Sequence, residues 1–207
     1  MTQRARKKSL LRHLIIIETN SFRIIAGQFR GRKFTFPDAN GLRPTTGKIR
    51  ETLFNWLQFD IAEKSILDPF SGSGALSLES LSRGAKKVYS IEKNNLVFKY
   101  LQSSFSSFPD EKYTLVNADA LNHLSQSCPD PFDLVFLDPP FAKELLPQAI
   151  KLISDNGYIN QDSKIYIESE FKINDDNLRS LSGYRYNISK QKKSGNVHYC
   201  LINLSES

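Results

Sequence analysis

From Ser65 onward, short apolar runs rich in β-branched and aromatic residues alternate with longer stretches of helical periodicity. This alternation predicts strands near 65–68, 87–92, 113–117, 132–138 and 164–169, with helices near 74–83, 94–106, 119–125 and 142–154. Such an order builds a parallel sheet covered on both faces. Residues 184–190 and 196–203 read as two more strands, with Lys190, Lys192, Lys193 and Gly195 around the turn between them. An antiparallel hairpin then completes a seven-stranded, mostly parallel α/β sheet of Rossmann-like kind.

Upstream, residues 22–27 and 33–37 bracket 28–32, with Gly27 and Gly31 at the bends. This predicts a small hairpin displaying Arg23, Arg30, Arg32 and Lys33. An irregular segment through Arg43, Pro44 and Thr45 stops at Thr46, a plausible N-cap. Ile49, Leu53, Trp56 and Leu57 follow at helical spacing, giving an amphipathic helix over 47–58 with Lys48 and Arg50 near its start. The Phe54 and Trp56 rings are assigned to the core by their burial habits. The chain thus divides into a basic arm (1–21), a hairpin and helix extension (22–60) and a larger α/β domain (61–207).

Charge sharpens that division. The 207 residues carry a formal +6, but the first 50 hold 12 Lys and Arg against 2 acids, leaving 16 against 20 for the remainder. The basic end reads as a polyanion-binding surface. Cys128 and Cys200 lie far apart with no CxxC pattern, which argues against a disulfide framework or zinc knuckle. His13, His123 and His198 show no ligand spacing, so no metal is expected. The apolar run at 14–17 is too short for a signal sequence or membrane span. A cytoplasmic monomer, without membrane or metal partners, is the expectation.

Four acids carry the chemistry: Asp68, Glu92, Asp119 and Asp138 each fall at the carboxyl end of one of four successive predicted strands. Such folds bind ligands along that edge. After the first strand comes Asp68-Pro69-Phe70-Ser71-Gly72-Ser73-Gly74, where two glycines let the backbone approach a ligand at a helix N-terminus. A dinucleotide fingerprint wants a third glycine, and position 77 is Ser77. The Asp68 carboxylate repels pyrophosphate but suits the ammonium and sulfonium of S-adenosyl-L-methionine. Glu92 sits close to the spacing at which an acid accepts from ribose hydroxyls. Asp119 could accept from an adenine amine and the Ala120 N–H could donate to the ring. After the fourth strand, Asp138-Pro139-Pro140-Phe141 makes a stiff corner offering a carboxylate, a carbonyl and a flat ring, which suits a planar base held by its exocyclic amine.

These motifs resemble the class I S-adenosylmethionine-dependent methyltransferases that modify nucleobase amines. Within them, Arg23-Ile24-Ile25-Ala26-Gly27, Gly31-Arg32-Lys33, Leu42-Arg43-Pro44-Thr45-Thr46 and Arg50-Glu51-Thr52-Leu53-Phe54-Asn55-Trp56-Leu57 resemble the RsmD family. The similarity runs from about residue 22 to about 203. It implies methylation of N2 of one guanine, of the position-966 type, in 16S ribosomal RNA of the small (30S) subunit, with S-adenosyl-L-homocysteine as coproduct. It further implies a cofactor site of Asp68, Phe70, Ser71, Gly72, Ser73, Gly74, Glu92, Lys93, Asp119, Ala120 and Asp138. Asp138, Pro139, Pro140 and Phe141 would hold the acceptor. Arg23, Arg30, Arg32, Lys33, Arg43, Thr45, Thr46 and Arg50 would contact RNA, with 43–46 over the cofactor mouth. The alternatives are a DNA adenine-N6 methyltransferase, a non-catalytic RNA-binding protein on the same fold, and a nicotinamide-dependent oxidoreductase.

Overall fold

The computed structural model describes residues 18–39, 42, 46–141 and 145–205. The expected basic arm lies almost wholly outside them, as do Arg43 and Thr45. Strands β1 (Thr19–Arg23) and β2 (Lys33–Pro37) pair antiparallel, Phe22 opposite Phe34. The first strand begins and ends earlier than residues 22–27, because the chain leaves the ladder at Ile24. Ile24 N donates to Arg32 O and Gly31 N to Ile24 O, closing a loop, while the amides of Ile25 and Ala26 turn to the Glu79 carboxylate. Gly27, at φ +82°, seats this loop against Ser82: a Cβ there would lie 1.9 Å from Ser82 O.

Helix α1 (Gly47–Trp56) starts at the Thr46 cap, whose side chain accepts from Ile49 N at 3.4 Å. The remaining elements are β3 (Ser65–Asp68), α2 (Ala75–Ser82), β4 (Lys87–Ile91), α3 (Asn95–Phe105), β5 (Tyr113–Val116), α4 (Ala120–Leu124), β6 (Leu134–Leu137), α5 (Leu145–Asp155), β7 (Lys164–Ser169), α6 (Asp175–Ser182), β8 (Tyr186–Ser194) and β9 (Val197–Leu204). Their sheet runs β5–β4–β3–β6–β7–β9–β8, with β9 antiparallel to both neighbours and β3 to β7 parallel.

The β6 run is buried along its whole length, and alternate residues enter two cores. Leu134 and Phe136 join the core that also holds Phe22, Phe34, Leu53, Phe54, Leu78 and Phe105; Val135 and Leu137 join the one with Ile150, Ile153, Ile165 and Leu178. The N-terminal hairpin and α1 therefore share a core with the sheet. Phe54 is fully buried against Phe136, and each ring contributes about 1.5–3 kcal/mol by leaving water. Trp56 is partly buried and stacks on Tyr199 at 5.4 Å, a packing role rather than a ligand platform.

Helix α6 has no counterpart among the elements predicted from sequence. Its segment is polar, with Leu178 fully buried, and it is specified by a reciprocal Asn174–Asn177 capping box with Asp175 and Asp176 in the first turn.

Candidate active site

Because β5, β4, β3 and β6 are adjacent and parallel, Asp119, Glu92, Asp68 and Asp138 follow one another along the carboxyl edge of the sheet. Asp68 feels the negative charge of both Asp138 and Glu92, so these three acids lie close together at that edge. Two corners open onto it, one from β3 and one from β6.

The β3 corner is tied to the neighbouring strand. Ser71 N donates to Ile91 O at 3.1 Å, Ser71 Oγ to Asp68 O at 2.8 Å, and Gly74 N to Ser71 O at 2.7 Å. Gly72, at φ +50°, donates its amide to Glu92 Oε2 at 3.0 Å, and a Cβ there would meet Leu42 Cδ1 at 3.0 Å. Ser71 and Ser73 are buried, and Phe70 packs partly buried beside the second core. Glu92 also accepts from Asn94 N at 2.6 Å. Burial pushes its carboxyl up and these amides oppose the shift. Asp119 caps α4, its Oδ1 accepting from Leu121 N and Asn122 N, while Oδ2 lies 3.7 Å from Lys93 Nζ. Ala120 is the first residue of that helix. An acceptor-rich line around a glycine turn fits a ligand with a sulfonium, an ammonium, ribose hydroxyls and an adenine amine.

Asp68 lies deeper than a ligand-facing carboxylate would. It is 2% exposed, and Ser77 Oγ donates to its Oδ2 at 2.5 Å while also contacting Ser90 Oγ at 2.8 Å. The residue that breaks the dinucleotide fingerprint is thus the partner of this buried acid. Desolvation pushes the Asp68 carboxyl up to about 7, with Asp138 and Glu92 adding to it and the Ser77 bond opposing it. Between the ordinary 3.8 and about 7 the unfolded chain has released this proton and the folded chain keeps it. Asp68 therefore withdraws stability as pH rises through that window and withdraws no more above it. Urea titrations from pH 4 to 8 should show wild type losing stability relative to Asp68→Asn up to about pH 7, then running parallel; parallel curves throughout would refute the shift.

At the β6 corner, Pro139 is buried, Asp138 and Pro140 are half-buried and the Phe141 ring is 40% exposed. The adjacent strand β7 continues the register from Leu137 opposite Ile167, which brings buried Glu168 beside Asp138. Tyr166 donates to Glu168 Oε1 at 2.8 Å. Its phenol is pushed well above the usual range by burial, then by Glu168 and Asp138. Sequence reasoning missed this pair; an acid after the apolar run of β7 was the available signal.

Of the described basic residues expected to contact RNA, all but Arg50 lie exposed on the N-terminal hairpin. These are Arg23, Arg30, Arg32 and Lys33, Arg23 donating to Gly31 O at 2.9 Å. Arg32 donates to Ser107 Oγ at 2.7 Å and lies over the Phe29 and Phe34 rings. Arg50 corrects the expectation of a phosphate grip: it is 5% exposed, donates to Arg23 O at 2.8 Å and covers the Phe22 ring at 4.9 Å. Gln28 N bonds Ser82 O at the end of α2, and Arg32 reaches Ser107 just past α3. Helices α2 and α3 run back from the carboxyl edge, so the hairpin loop sits at their far ends. Arg43 and Thr45 lie outside the described residues, and Thr46 is the exposed cap of α1. Among the described residues no three His, Cys, Asp or Glu side chains cluster to hold a metal, and no helix is long and apolar enough to cross a membrane.

The family model described as "Conserved hypothetical protein 95" matches residues 22–203. The chain belongs to this family. It is the RsmD family of the sequence resemblance. One member, "Ribosomal RNA small subunit methyltransferase D" of Escherichia coli K12, is 40% identical over 183 residues, covering 88% of this chain and 90% of its own. The Haemophilus influenzae protein of the same name is also 40% identical, over 86% of this chain and 92% of its own. Among solved structures, the "Putative methyltransferase yhhF" of Escherichia coli superposes with a TM-score of 0.79 at 38% identity, covering 91% of this chain and all of that one. The class I methyltransferase fold expected from the sequence is the fold of the family.

Proposed function

We propose that this chain is a methyltransferase that uses S-adenosyl-L-methionine to methylate the exocyclic N2 amine of one guanine, of the position-966 type, in 16S ribosomal RNA of the small (30S) subunit. The observation that carries the reading is the shared carboxyl edge of the sheet. A glycine turn flanked by Glu92 faces the same edge as Asp138-Pro139-Pro140-Phe141, in a chain 40% identical to small-subunit methyltransferases over most of its length. The protein acts as a cytoplasmic monomer, with residues 22–60 serving as an RNA-binding extension of the 61–207 domain.

S-adenosyl-L-methionine, when bound, supplies an electrophilic methyl group on a cationic sulfonium. Glu92 would hold the ribose hydroxyls, Asp119 and the Ala120 N–H the adenine, and the Gly72–Gly74 backbone the amino-acid end, with Asp68 and Lys93 setting the local charge. The guanine amine is a poor nucleophile because its lone pair is delocalised into the ring. Its two N–H groups would donate to the Asp138 carboxylate and the Pro139 carbonyl, pulling the nitrogen towards tetrahedral geometry and turning its lone pair to the methyl carbon. Phe141 stacks on the extruded base, which costs a few kcal/mol to unstack. The nitrogen that takes the methyl group, the sulfonium becoming a neutral thioether, would shed one proton past half-buried Asp138 to solvent. Positioning supplies most of the rate.

Calorimetry should show binding of S-adenosyl-L-methionine and none of NAD. Labelled methyl groups should enter unmethylated small subunits and leave duplex DNA unlabelled. Label in the DNA alone would favour the adenine-N6 alternative, and no transfer to either substrate would leave a binding protein.

A further inference from the structure

We propose that the turn end of the β8–β9 hairpin, with Phe171, forms a second RNA-binding rim that holds the single-stranded nucleotides flanking the extruded base. The proposal rests on the methyltransferase reading above and adds a surface which that reading does not assign.

Strand β9 is antiparallel to β7, so Ser169 at the end of β7 stands opposite His198, and Val197 opposite Ser194 closes the hairpin one residue further out. The turn around Gly195, at φ +59°, therefore lies on the carboxyl edge, beside the acceptor corner. Lys192 stands opposite Tyr199, which stands opposite Glu168. Three strand spacings, or about 14 Å, separate it from the position of Asp138. The N-terminal hairpin loop, by contrast, docks at the far ends of α2 and α3. Its exposed cations can reach phosphates only at a distance from the target.

The chemistry of the rim suits RNA. Lys190, Lys192 and Lys193 are exposed, and among the described residues none is in an ion pair. Lys190 and Lys192 project on the sheet face of Leu201 and Tyr199, whereas Lys193, opposite His198, shares with Gln191 the face on which α6 and the Phe171 loop lie, so the turn offers cations on both sides. Phe171, two residues past β7, is 41% exposed and matches the 40% of Phe141 at the end of the neighbouring strand. Gln191 Nε2 donates to Ile173 O at 2.6 Å, and Ser169 Oγ to Phe171 O, which fixes the ring's loop to the hairpin. Extruding a base leaves its neighbours unstacked. An aromatic platform beside lysines is the arrangement that takes such nucleotides without reading their identity.

The test uses the full chain, S-adenosyl-L-methionine and unmethylated small subunits, with variants Lys192→Gln/Lys193→Gln and Phe171→Ala. The double variant should raise KM for the subunit about tenfold and shallow the slope of log affinity on log salt by about 1.4, the share of two phosphate contacts on single-stranded RNA. Phe171→Ala should weaken subunit binding about 5- to 100-fold and Phe171→Trp should restore it. Unchanged affinity for S-adenosyl-L-methionine reports that each variant is folded. Wild-type KM and salt slope in the double variant, or no rescue by tryptophan, would overturn the rim while wild-type methylation leaves the functional reading standing. A wild-type protein that neither binds nor methylates the subunit would overturn both.

Discussion

Asp138→Ala is expected to lower kcat for methyl transfer by about a hundredfold or more while binding of RNA is largely kept, because misplacing a reacting group by about 1 Å is itself worth about 10²-fold. The carboxylate follows β6 directly and is followed by two prolines, so its position is set by the sheet and by a backbone with few alternatives. Removing it leaves the Pro139 carbonyl as the only acceptor of the pair, and the amine can relax into the plane of the base. Asp138→Asn keeps an acceptor oxygen without the charge and should retain part of the rate. Single-turnover kinetics isolate this step from RNA binding. A rate within fivefold of wild type would remove Asp138 from the chemistry.

Glu79→Ala should cost about 3–5 kcal/mol of folding stability, the range for removing one partner of a buried charged pair. Glu79 is fully buried and accepts from Ile25 N at 2.7 Å, Ala26 N at 3.0 Å and Arg83 Nε at 2.8 Å. Its loss orphans two amides of the hairpin loop and strips the counter-charge from Arg83, which lies over Phe54 at 4.8 Å, and from nearby buried Arg50. Glu79→Gln keeps an acceptor for one amide and should lie between. Denaturant midpoints measure the effect, and early proteolysis near Arg30 and Arg32 would show the hairpin leaving first. A loss below 1 kcal/mol would mean that the extension is held by its phenylalanines alone.

The parallel sheet was legible because its signals are local: short apolar runs, a glycine turn and acids at strand ends survive in any window of the chain. The N-cap at Thr46 was legible for the same reason. What stayed hidden depends on partners distant in sequence. Arg50 looks like a surface cation beside Lys48, and only the approach of Arg23 and Phe22 shows it to be buried. Glu79, a lone acid in a helix of alanine, leucine and serine, gives no hint that its partners lie more than fifty residues upstream. Strand β1 ends early because Ile25 and Ala26 bond to that acid rather than to a neighbouring strand. Helix α6 escaped because a capping box specified it where apolar periodicity was thin.

One site shared by the glycine turn and the proline corner is the claim on which the rest stands. Small subunits methylated by the protein, digested to nucleosides and analysed by mass spectrometry, test it most directly. The account predicts one N2-methylguanosine per subunit, formed about a hundredfold more slowly or not at all when Asp138 is alanine. Methyl groups on adenine, on ring nitrogens or on ribose would contradict it.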